Sequence, residues 1–346
     1  MTKPINVCAL SVCSALFIAL CSMPASATDA AAAMAVKAPA TARVAFDGNI
    51  RNNSLALSPD EATAVVSYSE RPDVVVYNLQ TGAVRGVLHG YVTPRNIVFA
   101  PDGQSFYVSD SSLGIIARID TASLQAQAPI AAGPGAFGTV LSKDGATLYV
   151  NNQATSTVTL FDTATNRARA VITGFAQPRQ GVRLSPDGAA LYVTNFLGDK
   201  VTIVDTATNK ITGEIGGFRM IRAISVTADG KTLFAANSGS NNIAVVDIAK
   251  REITSTVPVG KDPYGAALSP DGRFVYAGNL GDNTVSVIDV ASLKVVATIT
   301  GFKEPRQAIV LTRDGKTAYV LNVDLSVAKV DRATQQVIGT LAAPVL

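Results

Sequence analysis

One short segment recurs seven times along this chain, and it decides the architecture. It reads Ser58-Pro59-Asp60-Glu61, Ala100-Pro101-Asp102-Gly103, Ser142-Lys143-Asp144-Gly145 and Ser185-Pro186-Asp187-Gly188 in the first half. It continues as Thr227-Ala228-Asp229-Gly230, Ser269-Pro270-Asp271-Gly272 and Thr312-Arg313-Asp314-Gly315. The aspartates at 60, 102, 144, 187, 229, 271 and 314 are spaced by 42, 42, 43, 42, 42 and 43 residues. Each repeat carries four short β-branched or aromatic runs. In the fourth these are Gly181 to Leu184, Leu191 to Val193, Val201 to Val204 and Ile211 to Ile215. Strand-type alternation is present and no long run has helical period. Tight turns between the runs predict antiparallel neighbours, so each repeat is a four-stranded meander with two apolar faces. One such sheet cannot bury both faces. Packing the repeats face to face around an axis does so and leaves only short edges. The fold class is therefore all-β, a seven-bladed β-propeller of four-stranded antiparallel blades over residues 42–346. A parallel β-helix, the other repeat solution, needs a coil of about half this length without hairpins.

The repeat residues Leu191-Tyr192-Val193-Thr194-Asn195 and Val201-Thr202-Ile203-Val204-Asp205-Thr206-Ala207-Thr208 resemble the YVTN family of β-propeller repeats. Variants stand at Tyr149-Val150-Asn151-Asn152, Tyr276-Ala277-Gly278-Asn279 and Tyr319-Val320-Leu321-Asn322, and the likeness runs from about Arg43 to the C-terminus. The resemblance implies the fold and leaves the chemistry open, because the family serves many roles. The first repeat departs most, with Glu61 in place of Gly and Tyr68 where Asn is usual. Both Arg43 to Phe46 and Gln336 to Leu341 match the outermost strand, giving eight candidates for seven blades.

The N-terminus reads as an export signal over residues 1–27. Lys3 precedes an apolar run from Val7 to Cys21, and Ala25-Ser26-Ala27 fits a small-x-small cleavage site. Val12 and Leu20 stand before Cys13 and Cys21, where a lipobox wants a small residue. The expected address is periplasmic or extracellular, with residues 28–41 as a flexible tether and no membrane span after cleavage. All three cysteines lie in the signal, so the mature chain has neither disulfide nor thiolate ligand. The net charge of +3 is close to balance and points to no partner by itself.

Residues that recur in every repeat have structural explanations. The turn aspartates cap backbone N–H groups, and Asp120, Asp162, Asp205, Asp247, Asp289 and Asp331 do the same one turn later. Asn152, Asn195, Asn237, Asn279 and Asn322 are expected to tolerate left-handed backbone at the end of the second strand.

Departures from the repeat say more. The turns leading into the innermost strands crowd one channel mouth, and five of the seven carry arginine: Arg51, Arg95, Arg179, Arg222 and Arg306. Phe137 and Tyr264 take the other two places, with Arg219, Lys261 and Lys303 slightly further out. Converging guanidiniums with two stacking aromatics suit a carboxylate, a phosphate or a polyanion. The competing explanation is internal neutralisation by Asp199, Asp262, Asp282, Glu304 or Asp324. Arg183 is a further oddity, standing inside a strand where other repeats have Ala, Ser or Val; it either points a charge into the channel or pairs with an acid there.

Catalytic machinery is sparse. The single histidine, His89, has no Cys partner and no Gly-x-Ser-x-Gly elbow. No Cys-x-x-Cys-His segment is present for covalent haem, and the lack of tryptophan argues against quinoprotein-type propellers. No metal, cofactor or catalytic residue is assigned. The expectation is a non-catalytic binding or scaffold propeller, whose partner is an anionic small molecule, a polyanion or a protein. A lactonase- or lyase-like enzyme centred on His89 is the alternative. Single-stranded nucleic acid also fits a basic, aromatic mouth in principle.

Overall fold

The computed structural model describes residues 50–344. The signal, the tether and the Arg43 to Phe46 strand candidate lie outside the described residues. Within them the chain forms seven four-stranded antiparallel sheets, each built from consecutive strands. This is the seven-bladed β-propeller the repeat predicts. The first strands of successive blades are Asn53–Leu57, Pro94–Phe99, Ala136–Leu141, Pro178–Leu184, Ile221–Val226, Ala267–Leu268 and Ile309–Leu311. These contact one another in sequence order, and the first also meets the last, so they ring the central channel.

The blades are held by seven apolar clusters, each shared between two neighbours. Tyr149, Val158 and Leu160 of blade 3 pack with Val182, Leu191 and Val204 of blade 4. Tyr192, Val201 and Ile203 on the opposite face of blade 4 pack with Ile224, Leu233 and Val246 of blade 5. This is why the second and third strands of a repeat carry apolar residues on both faces at their centres, as at Leu191-Tyr192-Val193 and Ile203-Val204: both faces are inside. Each Val or Ile so buried contributes about 1.5–3 kcal/mol. The outer strands are different. Lys210–Ile215 and Lys294–Ile299 are mostly exposed, with lysine at the start of each edge to discourage pairing with other chains.

Ring closure requires no strand exchange among the described residues. Gln336–Leu341 completes blade 7 by pairing with Val327–Asp331. Blades 7 and 1 are then joined by side chains: Leu55, Val66 and Tyr77 pack against Tyr319, Leu321 and Val327. The Tyr77 hydroxyl also donates to the Leu325 carbonyl at 2.8 Å.

The recurrent polar residues take structural positions, one for a reason the sequence does not reveal. Asp187 Oδ1 accepts from the Ser185 hydroxyl and the Ala189 N–H, and its counterparts repeat the pattern. Glu61 adopts the same left-handed backbone (φ 58°) that glycine supplies in the other turns. The strand-end asparagines, by contrast, are not left-handed. Their side chains clamp the loop leading into the blade: Asn195 Oδ1 accepts from Ala176 N, Asn237 Oδ1 from Arg219 N and Asn322 Oδ1 from Lys303 N. Left-handed backbone falls instead on Asp199, Asn241 and Asn283, a few residues later.

Candidate ligand-binding mouth

Each inner strand begins at the upper face, and the residue just before or at its start faces the channel mouth. Alternating cations and rings form a belt there. The Arg95 guanidinium lies 4.4 Å from the centre of the Phe137 ring. Arg179 lies 3.3 Å from the Phe196 ring and Arg222 lies 5.3 Å from it. Arg222 also reaches the Tyr264 ring at 4.5 Å, and Arg306 covers that ring at 4.9 Å. A cation held against a ring gains about 0.5–2 kcal/mol, and its plane is fixed in the process.

Below the belt the channel is crossed by side-chain amides. The residue after each arginine is Asn52, Asn96, Gln180, Ala223 or Gln307. Gln180 reaches from blade 4 across the axis, accepting from Asn52 Nδ2 at 2.7 Å and donating to Asn96 Oδ1 at 3.0 Å. Asn96 Nδ2 in turn donates to Thr139. The result is a shallow cup, open above, with these amides in its floor. Arg51, Phe137, Arg179, Arg222 and Tyr264 line it, together with Phe196, Gln180 and Gln307.

Five of the seven residues expected at the mouth therefore meet in one cleft. The other two, Arg95 and Arg306, stand behind it and are almost wholly buried. Arg95 donates to the Ile50 carbonyl, to Asn52 Oδ1 and to the Ser111 hydroxyl. Arg306 donates to the Arg51 carbonyl at 3.2 Å and lies 3.7 Å from Glu304. Phe137 is buried as well, a platform for Arg95 with little face left for a ligand. Phe196 was not foreseen. It lies in the loop after the second strand of blade 4, outside the recurrent mouth positions, and its only signal is an aromatic where other blades have Ser69, Ser111, Gln153, Ser238, Leu280 or Val323.

The acids on this face are committed elsewhere. Asp262 accepts from the Ser238 hydroxyl, Asp282 from Lys261 N and Asp199 from Ile221 N. Asp324 pairs with Lys303 at 2.7 Å, outside the cup. Within the cup Arg51 pairs with Glu70 at 3.0 Å. Arg222 is the exception. Among the described residues its guanidinium makes no ion pair or hydrogen bond, and its Nε is buried without a partner. An unmet charged donor of this kind costs about 1–3 kcal/mol or more until something accepts from it. In blade 1, away from Arg222, burial raises the Tyr68 hydroxyl above the usual phenol range, and that oxygen has no hydrogen-bond partner among the described residues.

His89 stands apart from the cup. It lies on an exposed loop with Nδ1 2.6 Å from Asp73 Oδ1, and it is not among the cleft-lining residues.

Comparison with known proteins extends this picture. Residues 188–330, under half of the chain, match the model of the Cytochrome D1 heme domain rather than a YVTN repeat. A chain of the solved Kuenenia stuttgartiensis hydrazine synthase superposes with a TM-score of 0.74 at 22% identity, covering 81% of this chain and 95% of that one. No curated protein matches. The structural likeness is one of fold. Among the described residues no helix is long and apolar enough to cross a membrane.

The donor set was tested against a haem. Imidazole or thiolate is the usual axial ligand. The described residues contain one imidazole, on the far loop, and no cysteine. Their one thioether, Met220, is 41% exposed and does not line the cup. A haem iron held by imidazole, thiolate or thioether does not fit this mouth.

Proposed function

We propose that this protein is an exported, non-catalytic binding propeller that takes an anionic ligand into the cup at its upper face. The observation that carries the reading is Arg222. It is held between two rings in the cleft wall, and among the described residues no carboxylate pairs with it. A ligand carboxylate or phosphate would supply the missing acceptor, adding about 1.5–3 kcal/mol. Arg179 lies on the same ring, and Gln180 and Gln307 offer amides to the ligand's neutral polar groups. Phe196 and Tyr264 keep the cations aimed. Export rests on the Lys3, Val7 to Cys21 and Ala25-Ser26-Ala27 pattern, and kinship with YVTN propellers rests on Leu191 to Asn195 and its variants.

The partial match to a haem domain favours one ligand class in particular, a tetrapyrrole bound through its carboxylates rather than its metal. Thermal-shift and calorimetric titration with di- and tricarboxylates, phosphates, heparin, single-stranded DNA and a metal-free dicarboxylic porphyrin tests both statements. A ligand at about a hundred times its Kd raises stability by roughly 2.7 kcal/mol. The expected result is stabilisation by carboxylates that fades with salt and falls roughly 10- to 150-fold in affinity in Arg222→Gln. Binding unchanged in that variant would sink the reading. Turnover of a lactone that vanished in His89→Ala would replace it with the enzymatic one.

A further inference from the structure

Arg183 plays no part in the cup. It lies in the inner strand Pro178–Leu184, four residues beyond Arg179, which places it about 13 Å further down the channel. The amide crossing at Gln180 lies between the two. The same position in the other blades holds Ala56, Val98, Val140, Ser225, Ala267 and Val310, so no other cation shares this level. Val182 before it is fully buried in the blade 3–blade 4 cluster, and alternation turns Arg183 out of that core.

Two properties of the side chain belong together. Arg183 is exposed to solvent, yet loss of water around the guanidinium is the sole cause shifting its pKa down. The innermost strand of a blade is open to solvent only on its channel side, so an exposed side chain there stands in the channel rather than on the outer surface. Its guanidinium makes one hydrogen bond among the described residues, NH1 to the carbonyl of Val182 at 2.9 Å, and no ion pair. Of the two explanations open from sequence, a lumenal charge and an internal pair, the structure keeps the first. On the neighbouring inner strand, at the same repeat position, the Ser225 hydroxyl is buried and has no hydrogen-bond partner among the described residues.

We infer that the lower channel holds a second anion-binding position, separate from the mouth and built on Arg183. One guanidinium with no ion pair among the described residues matches a single negative charge. The ligand class is a small monovalent inorganic anion, a halide or a nitrate-sized oxyanion. The amide crossing keeps larger ligands of the cup from reaching it.

Bromide is the probe. Crystals of the protein soaked in sodium bromide should show an anomalous peak in the lumen within hydrogen-bond distance of the Arg183 guanidinium. Arg183→Met should remove that peak, Arg183→Lys should retain it at lower occupancy, and Arg222→Gln should leave it untouched. In solution, the bromide-dependent rise in Tm should disappear in Arg183→Met and persist in Arg222→Gln. The lysine variant keeps the test open if the methionine variant does not fold. No lumenal peak, or one that survives in Arg183→Met, would overturn the inference. Because Arg222→Gln reports on the cup alone, failure of the mouth reading and failure of this one give different patterns.

Discussion

The propeller carries a charged residue in all seven repeats at the lower end of its inner strands and in five of seven at the upper end, and the two rings behave differently. At the lower end every turn has an aspartate, from Asp60 to Asp314, whose carboxylate is bonded by its own turn. At the upper end five turns have arginine, and two of these, Arg95 and Arg306, are likewise tied into the framework. Arg222 is not. Regular recurrence thus marks a residue that serves the fold, and what distinguishes a candidate binding group is a charge that its own neighbourhood leaves unmatched. Charge alone does not separate the rings; partners do.

The sharpest way to break this distinction is to delete an arginine of each kind. Arg95→Ala removes at least three hydrogen bonds and a ring contact from an almost wholly buried site, and it takes the Arg95 donor from Asn52 Oδ1 and leaves the Ile50 carbonyl only the longer bond from Ser69. The expected loss is about 3 kcal/mol, read by chemical denaturation. Arg222→Gln should cost less than about 1 kcal/mol, since only ring contacts are given up. Equal losses in the two variants would mean that both arginines are structural and the cup has no free cation.

The lower ring predicts a pH dependence. The Ser269 hydroxyl, the Arg273 N–H and the Arg332 guanidinium outweigh the opposing effect of burial and hold Asp271 down at about 2, against an ordinary value of 3.8. Asp187, Asp229 and Asp314 are lowered by the same kinds of bond. A depressed folded-state pKa gives stabilisation that is present above about pH 4 and is lost as pH falls through the folded value. The melting temperature should therefore be insensitive to these groups near neutrality and should drop between about pH 4 and 2. Asp271→Ala should cost about 1 kcal/mol at pH 7, reduced by solvent screening, and should flatten that acid slope. An unchanged slope would show that the turn carboxylates are not what acid attacks first.

How much of this was legible beforehand follows from where each signal lies. The fold was legible because a period of 42 to 43 residues survives every substitution outside the turns. The arginine belt was legible because its members fall within the same three positions ahead of the turn aspartate. Phe196 was not, because it occupies a different loop, meets Arg179 only when the first two strands of blade 4 pair, and meets Arg222 only when blades 4 and 5 stack. Nor could sequence divide the arginines into buried and available ones. That division depends on which acids reach them, and Asp199, Asp262 and Asp282 turn to loop donors instead. The crossing by Gln180 is invisible in one dimension, joining residues 128 and 84 positions apart.

The smallest expected effect tests whether the first blade departs from the repeat for a reason. Glu61 holds the left-handed backbone of its turn (φ 58°), at a cost of about 1 kcal/mol relative to glycine. Its carboxylate accepts from Arg313 N at 2.5 Å across the seam between blades 1 and 7. Glu61→Gly relieves the strain and removes the seam bond, and the two should nearly cancel. Glu61→Ala removes the bond and keeps the strain, so it should fall below Glu61→Gly by about 1 kcal/mol. If both variants match the parent, the seam bond contributes nothing and the apolar packing of Leu55, Tyr77, Tyr319 and Leu321 closes the ring alone. If the alanine variant alone loses stability, the residue at 61 is a seam contact tolerated in a strained turn, the counterpart at the lower face of what Arg95 does above.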